Sequence, residues 1–435
     1  MNNVTAATIH DTILVVSTNK TYDVAVVGAG VFGAWTSYQL SRAGAEVAVI
    51  DAYGPGNSRA SSGGESRMIR MGYGPDQIYT RMAQRSLRLW QHLFDRVGRT
   101  ELFQPTGILW LARPNDSYAE SSLKTLEEFH VRYERLDRAG LQARYPQLEL
   151  GSVTWAILEP NSGVLMARQA VQAVVAQARA RGVVYLQEAI LPPEYEGEEG
   201  KRGTGKGKAI EVGPLRRTSS SADAEQDCNS KLESLQTVSG GEIIARQFVF
   251  ACGPWLPKIF PALLGELIHV TRQEVFFFGV PAGDISSRFG PEQMPAWIDF
   301  GDLVYGIPNL DNRGFKLAID AHGPEFDPDT GDRIVSTESL AAARAYLARR
   351  MPALTNAPVT ETRVCQYENT SNGDFLIDRH PAFENVWLVG GGSGHGFKHG
   401  PAVGEQVAAL ISGDAKVESR FALATKEKVQ QRKVY

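Results

Sequence analysis

Gly28, Gly30 and Gly33 stand in the spacing G-x-G-x-x-G, directly after the apolar run VAVVG and ahead of a stretch with helical periodicity. That arrangement can hold a pyrophosphate. Gly28 permits a tight turn, Gly30 lets the backbone approach the phosphates, and Gly33 lets helix and strand pack closely. The anion would lie at the helix N-terminus, where N–H groups without helical partners and the helix dipole favour negative charge. Asp51 ends the next apolar strand, EVAVID, 18 residues beyond Gly33, and is placed to accept hydrogen bonds from a ribose diol. This motif implies a dinucleotide and does not separate NAD from FAD. The far end of the chain does: VWLVGGG runs into Ser393-Gly394-His395-Gly396-Phe397-Lys398, and a helix follows. NAD enzymes with this fingerprint have no need of a second such turn, whereas the long body of FAD is clamped from several chain segments. Gly394 and Gly396 would let backbone amides come close to a flavin.

Turns of this kind need strands and helices to carry them. Residues 24–51 read as strand, turn, helix and strand. A helix over Ala167–Ala180 places Val171, Val174, Val175 and Ala178 at i, i+3, i+4 and i+7, and the strands VVYLQ and FVFACG come after it. VWLVGGG begins a third piece that ends in a helix over about 402–411. The expected class is α/β with an α+β two-domain character. A Rossmann-like FAD-binding domain is built from the discontinuous segments 22–91, 161–256 and 361–413, and a mixed-sheet substrate domain from 92–160 and 257–360. Trp90, Leu93, Phe94 and Val97 form a packing stripe. Residues 193–240, with GEEGKRGTGKGK and RRTSSSADAEQDCNS, cannot bury much and read as a surface excursion inserted in the first domain.

The chain has 435 residues, 43% hydrophobic and 22% charged, with a net charge of −4. It offers no basic surface for nucleic acid or anionic lipid. Three cysteines make no disulfide framework, which suits a reducing compartment. No run of about 18 apolar residues predicts a membrane span. The opening MNNVTAATIHDTILVVSTNK has no basic n-region and does not read as a secretory leader, so a cytoplasmic protein is expected; the sequence leaves the oligomeric state open, with a monomer favoured. No grouping of His, Cys and carboxylates has metal-ligand spacing, so no metal is expected.

Gly64-Glu65-Ser66-Arg67-Met68-Ile69-Arg70 resembles the monomeric sarcosine oxidase family, which also takes in N-methyltryptophan and pipecolate oxidases and, more distantly, fructosyl-amino-acid oxidases. These are flavoenzymes of the D-amino-acid-oxidase-like superfamily. Val304-Tyr305-Gly306, Gly314-Phe315-Lys316, Cys365-Gln366-Tyr367, the stretch from Phe375 to Pro381 and the closing SGHGFK agree with the same family. Order and spacing hold from Tyr22 to about Gly413, apart from 193–240. The resemblance implies FAD-dependent oxidation of the C–N bond of a small secondary amino acid, with dioxygen as second substrate, giving an imine and hydrogen peroxide.

The same resemblance distributes roles. Arg67 lies against the flavin ring, with Ser66 beside it, while Arg70 and Lys398 grip the substrate carboxylate. A bidentate guanidinium and an ammonium point charge suit that task. Lys316 matches an oxygen-activating lysine, Tyr305 a pocket tyrosine, and Cys365 the position whose sulfur carries a covalent flavin. Lys398, Gly394 and Gly396 join Gly28, Gly30, Gly33 and Asp51 as cofactor contacts. Two positions depart from the pattern. Gly63 stands where many relatives have His. Asp320 stands where sarcosine oxidase has a pocket histidine, and an acid there would favour a substrate bearing a cation or hydroxyls. His395 reads as a packing residue of the loop rather than a base, Cys252 as core, and Cys228 has no assigned task. The alternatives are a fructosyl-amino-acid oxidase, a flavin dehydrogenase that passes electrons to another carrier, an NAD-linked dehydrogenase and a silent flavin-binding scaffold.

Overall fold

A computed structural model of the chain describes residues 20–194, 230–283 and 285–431. Cys228 and most of the expected excursion lie outside them. The α/β class expected from the sequence is what the chain adopts, with three sheets among the described residues.

The first sheet runs in the order Leu376–Arg379, Val386–Gly390, Glu242–Phe250, Thr21–Val27, Val47–Ile50, Val184–Leu186, with Ser234–Gln236 added beside Glu242–Phe250. Its five central pairing partners, from Val386–Gly390 to Val184–Leu186, are parallel. These strands are near-continuous runs of Val, Ile, Ala and Phe because helices cover the sheet. Helix Val31–Arg42 is buried at every residue except Arg42. It lies against Gly400–Ser412 and Ala167–Ala180. Small residues permit that approach. A Cβ on Gly404 would stand 2.6 Å from the Trp35 carbonyl carbon, and one on Gly33 would stand 1.9 Å from the Gly28 carbonyl oxygen.

The second sheet has eight strands, ordered Val359–Thr370, Ile268–Phe278, Phe315–Ile319, Val304–Ile307, Ala296–Asp299, Ile108–Ala112, Trp155–Glu159, Glu134–Asp137. All pairs are antiparallel except Ala296–Asp299 with Ile108–Ala112, so the sheet is mixed. Between the two lies a small antiparallel sheet of Arg67–Ile69, Gly163–Leu165 and Phe103–Gln104. Among the described residues no helix is long and apolar enough to cross a membrane.

The boundaries differ from the sequence reading in two places. The return to the nucleotide-binding part was expected at 361, yet Val359–Thr370 is an edge strand of the eight-stranded sheet, paired along Ile268–Phe278. Apolar residues alternate in that strand as they would in either sheet, and only its partner assigns it. The excursion is also shorter than 193–240. Ser234–Gln236 pairs antiparallel with Glu242–Phe250, and Leu235 is buried in the core. A lone Leu among polar residues gives no periodic signal.

Gly33→Ala forces the Ala34 side of the helix away from the Gly28 turn, because both clashing groups are backbone. The substitution is expected to cost about 1–3 kcal/mol, as overpacking does, and to lower bound flavin. Urea denaturation and the flavin content of the purified protein check this.

Candidate active site

Two cavities meet at the C-terminal edge of the parallel sheet. The larger, about 260 Å³, is lined by Gly28, Gly30, Asp51, Ser62, Arg67, Cys365, Glu368, Gly394 and Gly396, among others. The smaller, about 90 Å³, is lined by Ser66, Arg67, Arg70, Gln273, Tyr305, Lys316, Asp320, Cys365, Tyr367, His395 and Lys398, together with apolar Met68, Val275, Ile298, Phe300, Ile307 and Phe397. Arg67, Cys365, Tyr367, Ser393, Gly394 and Phe397 belong to both walls, so the cavities adjoin.

The glycine fingerprint does what its spacing implies. Gly28 has φ +102°, and Gly33 packs on the Gly28 carbonyl. At Gly30 the nearest neighbour of an added Cβ would be Ser62 Oγ at 3.5 Å, so the backbone is bare toward the cavity where the helix opens. Asp51 Oδ2 accepts from Ala29 N at 2.7 Å, and Oδ1 accepts from the amides of Tyr53 and Gly54. Burial pushes the Asp51 carboxyl upward against those three amides. Gly394 and Gly396 line the wall for a different reason from the one the sequence suggested. Gly394 has φ +79° with the Tyr367 ring 2.8 Å from an added Cβ, and Gly396 is pressed against Gly392 Cα and the Phe32 ring.

Alternation along the eight-stranded sheet builds the smaller cavity. Gln273 pairs with Cys365, Val275 with Ala318, Ala318 with Tyr305, and Lys316 with Ile307. Every second residue shares a face, so Cys365, Tyr367, Gln273, Val275, Lys316, Tyr305 and Ile307 all project to one side. Two glycines make room for this register. A Cβ on Gly306 would enter the Trp297 ring at 1.7 Å, and Gly314 turns the chain with φ +116°.

Opposite that face lie Arg67 and Arg70. Arg67 donates to Ser66 O at 2.8 Å and Ser61 O at 2.7 Å, and its Nη2 lies 3.5 Å from Cys365 Sγ. Burial opposes the Arg67 charge, and Cys365, Tyr305, Tyr367 and Glu65 outweigh it. Arg70 is 6% exposed, donates to Gly72 O, and sits over the rings of Tyr73 at 4.2 Å and Trp110 at 4.8 Å. Burial opposes its charge too, while Tyr73, Tyr118, Glu159 and Asp320 hold it. Lys398 Nζ donates to Tyr73 Oη at 2.8 Å and His395 O at 2.9 Å. Lys316 is 3% exposed and donates to Ser66 O at 2.9 Å and Ser66 Oγ at 3.2 Å. Burial, then Arg67, pulls its pKa well below the ordinary lysine range. Lys316 was read from the sequence simply as a cation; its surroundings disfavour the charge. Burial also pushes Tyr305 up to about 12. Asp320 Oδ1 accepts from Tyr367 Oη at 3.2 Å.

The structure thus brings Arg67, Arg70, Lys398, Lys316, Tyr305, Asp320 and Cys365 to one cavity, and Gly28, Gly30, Asp51, Arg67, Cys365, Gly394 and Gly396 to the other. Gly33 lies behind the turn. Ser66 lines only the smaller cavity. His395 stacks on Phe375 at 5.1 Å, and its Nε2 lies 3.0 Å from Gly373 O, as a packing residue does. Cys252, expected in the core, is half-buried on the wall of the larger cavity with Sγ 3.6 Å from Val27 O. Gly63 accepts no side chain, since a Cβ would stand 1.7 Å from Asn57 O.

Several residues escaped the sequence reading. Ser62 Oγ accepts from Val31 N at the helix start. Glu368 is buried with Oε2 unpartnered, and burial pushes its pKa up to about 7. Glu159 is fully buried and accepts from Met71 N, Gly72 N, Trp110 Nε1 and Ser162 Oγ, fixing the turn after Arg70. Tyr73 touches both Arg70 and Lys398. Only Tyr73 had a signal, standing three residues beyond Arg70. The bare Gly30 backbone, the helix opening, the adjoining slot and the orphaned Glu368 oxygen fit a long flavin dinucleotide.

The family model for FAD-dependent oxidoreductases matches residues 23–410. A monomeric sarcosine oxidase of Streptomyces avermitilis is 30% identical over 398 residues, covering 90% of this chain and 94% of the relative. One from a Bacillus species is 28% identical over 395 residues, covering 90% and 93%. The crystal structure of L-proline dehydrogenase from P. horikoshii superposes with TM-score 0.73 at 21% identity, covering 93% of this chain and 97% of that one. Among the described residues no group of three or more His, Cys, Asp or Glu could hold a metal ion.

A buried lysine with a depressed pKa holds fewer protons folded than unfolded, so its contribution to stability rises with pH until about 10.4, the unfolded value. Lys316→Met is therefore expected to raise the melting temperature of the apoprotein at neutral pH. The gap to the parent should narrow as pH rises toward that value. Thermal unfolding over a pH series checks it.

Proposed function

The chain belongs to the FAD-dependent oxidoreductase family, and on that premise we propose that it oxidises the C–N bond of a small secondary amino acid, with dioxygen as electron acceptor. One observation carries this reading. Two buried cations from opposite ends of the chain, Arg70 and Lys398, line the same small cavity as Lys316 and Cys365. Buried cations on one wall call for an anion, and a carboxylate matches a guanidinium and an ammonium.

FAD supplies the redox chemistry when bound: a hydride equivalent leaves the carbon beside nitrogen, an imine remains, and dioxygen becomes hydrogen peroxide. Gly28, Gly30 and Asp51 would hold its nucleotide end, with Gly33 packed behind the turn, and Arg67, Gly394 and Gly396 would line its ring. Cys365 is the attachment point. Its sulfur is on the wall of both cavities, 3.5 Å from the Arg67 guanidinium. The protein's own work is orientation and charge. Arg70 and Lys398 fix the carboxylate, and the aliphatic and aromatic wall of Val275, Ile298, Phe300 and Ile307 keeps water from the reacting carbon. Arg67 disfavours a protonated amine close by, so the amine is held in its neutral, reactive form. Lys316, held by Ser66 on the wall of the smaller cavity, would support the reduction of dioxygen by the flavin.

Asp320, beside Tyr305 and Tyr367, favours an N-substituent with hydroxyls or a cation, and keeps an N-glycated amino acid as the second reading. Peroxide release across N-methyl, cyclic and glycated amino acids separates the two.

Arg70→Ala or Lys398→Ala is expected to lose roughly 2–5 kcal/mol of transition-state stabilisation on sarcosine. Dimethylamine, which lacks the carboxylate, should be a poor substrate for the parent and lose much less in either variant. Equal losses on both compounds would remove the carboxylate from the reading. For the flavin, acid precipitation should leave the yellow colour in the pellet, and Cys365→Ser should release it to the supernatant.

A further inference from the structure

The two cations of the carboxylate clamp share a neighbour that lines neither cavity. Tyr73 is fully buried. The Arg70 guanidinium lies 4.2 Å from the centre of its ring, and Lys398 Nζ donates to its hydroxyl at 2.8 Å. The same hydroxyl lies 2.7 Å from His399 Nε2 and 3.4 Å from His395 Nδ1. We propose that Tyr73, backed by His399, is the positioning residue that sets the spacing and direction of Arg70 and Lys398, and so the affinity of the site for a carboxylate.

The hydrogen-bond inventory gives this chain a direction. An ammonium only donates, so the Tyr73 oxygen accepts from Lys398 and its own proton goes onward. His399 is fully buried beside Lys398 and Arg70, and burial first, then those two cations, drives its pKa well down. A neutral imidazole can accept, so the Tyr73 proton has two buried imidazole nitrogens within reach, His399 Nε2 at 2.7 Å and His395 Nδ1 at 3.4 Å. The neighbours of His399 include the rings of Tyr79, His395 and Phe375. Neutrality matters, because a third cation here would repel the two that must face the substrate. On the other side, the Tyr73 ring is one of two faces that hold the Arg70 guanidinium, the other being Trp110. One side chain thus fixes a guanidinium through its ring and an ammonium through its oxygen, from Arg70 and Lys398 at opposite ends of the chain.

This inference rests on the reading of Arg70 and Lys398 as carboxylate ligands, and one experiment separates the two. The probe is acetate, which has the carboxylate and no amine, titrated into the flavin-loaded enzyme and followed by its perturbation of the visible flavin spectrum. Tyr73→Phe keeps the ring and removes the hydroxyl. Its acetate Kd should rise roughly 10- to 100-fold, as loss of a hydrogen bond to a charged group implies, and KM for sarcosine should rise alongside with kcat little changed. His399→Asn, tested as a second variant, should weaken acetate in the same sense and by less. An unchanged acetate Kd in Tyr73→Phe, with Lys398→Ala weakening acetate strongly, would overturn the role of Tyr73 alone. Acetate binding insensitive to Arg70→Ala and Lys398→Ala would overturn the clamp, and this inference with it. A matching loss of kcat for sarcosine and dimethylamine in Tyr73→Phe, without a change in acetate Kd, would mark Tyr73 as structural.

Discussion

Burying positive charge is the constraint on which this active site depends. Arg67, Arg70, Lys316 and Lys398 surround one small cavity, and an uncompensated buried cation costs far more than a surface one. Each is stabilised differently. Arg67 has backbone carbonyls and a nearby sulfur, Arg70 has two aromatic faces and the Glu159 charge, and Lys398 has a phenol and a carbonyl. Lys316 donates to the two oxygens of Ser66, but burial first and then Arg67 hold its pKa well below the ordinary lysine range.

That balance explains why so much of the surrounding architecture is polar yet fully buried. Glu159 lies at the end of a strand of the eight-stranded sheet and accepts four hydrogen bonds, three of them from residues that adjoin or touch Arg70. Its carboxylate ties the small sheet that carries Arg67 to the large sheet that carries Lys316. Aromatic packing performs the same service on the other side, where the rings of Tyr73, Tyr79, Phe375, His395 and His399 pack together beside Lys398.

Two sheets of different kinds meet here for a physical reason. The parallel sheet ends in turns with bare backbone, which suits phosphates and a dinucleotide. The mixed sheet presents every second side chain on one face, which suits a wall with defined chemistry. Cys365 and Tyr367 belong to the second sheet and still border the first cavity, so the two cavities share residues.

The sequence by itself determined the nucleotide-binding turn, since G-x-G-x-x-G after an apolar strand has few other uses, and the conformations of Gly28, Gly30 and Gly33 match their spacing. It also carried the motif residues Arg67, Arg70, Lys316, Cys365 and Lys398, because local runs around them are distinctive. What only the tertiary structure decided depends on pairs far apart in the chain. The strand Val359–Thr370 could have joined either sheet until Ile268–Phe278 paired with it. Glu159 looks like any strand-end acid until its partners, 87 and 88 residues away, are seen. Lys316 reads as a cation in one dimension and becomes a reluctant one when the fold buries it beside Arg67. Periodicity records which face a residue occupies, while charge state and partnership depend on what the fold sets opposite that face.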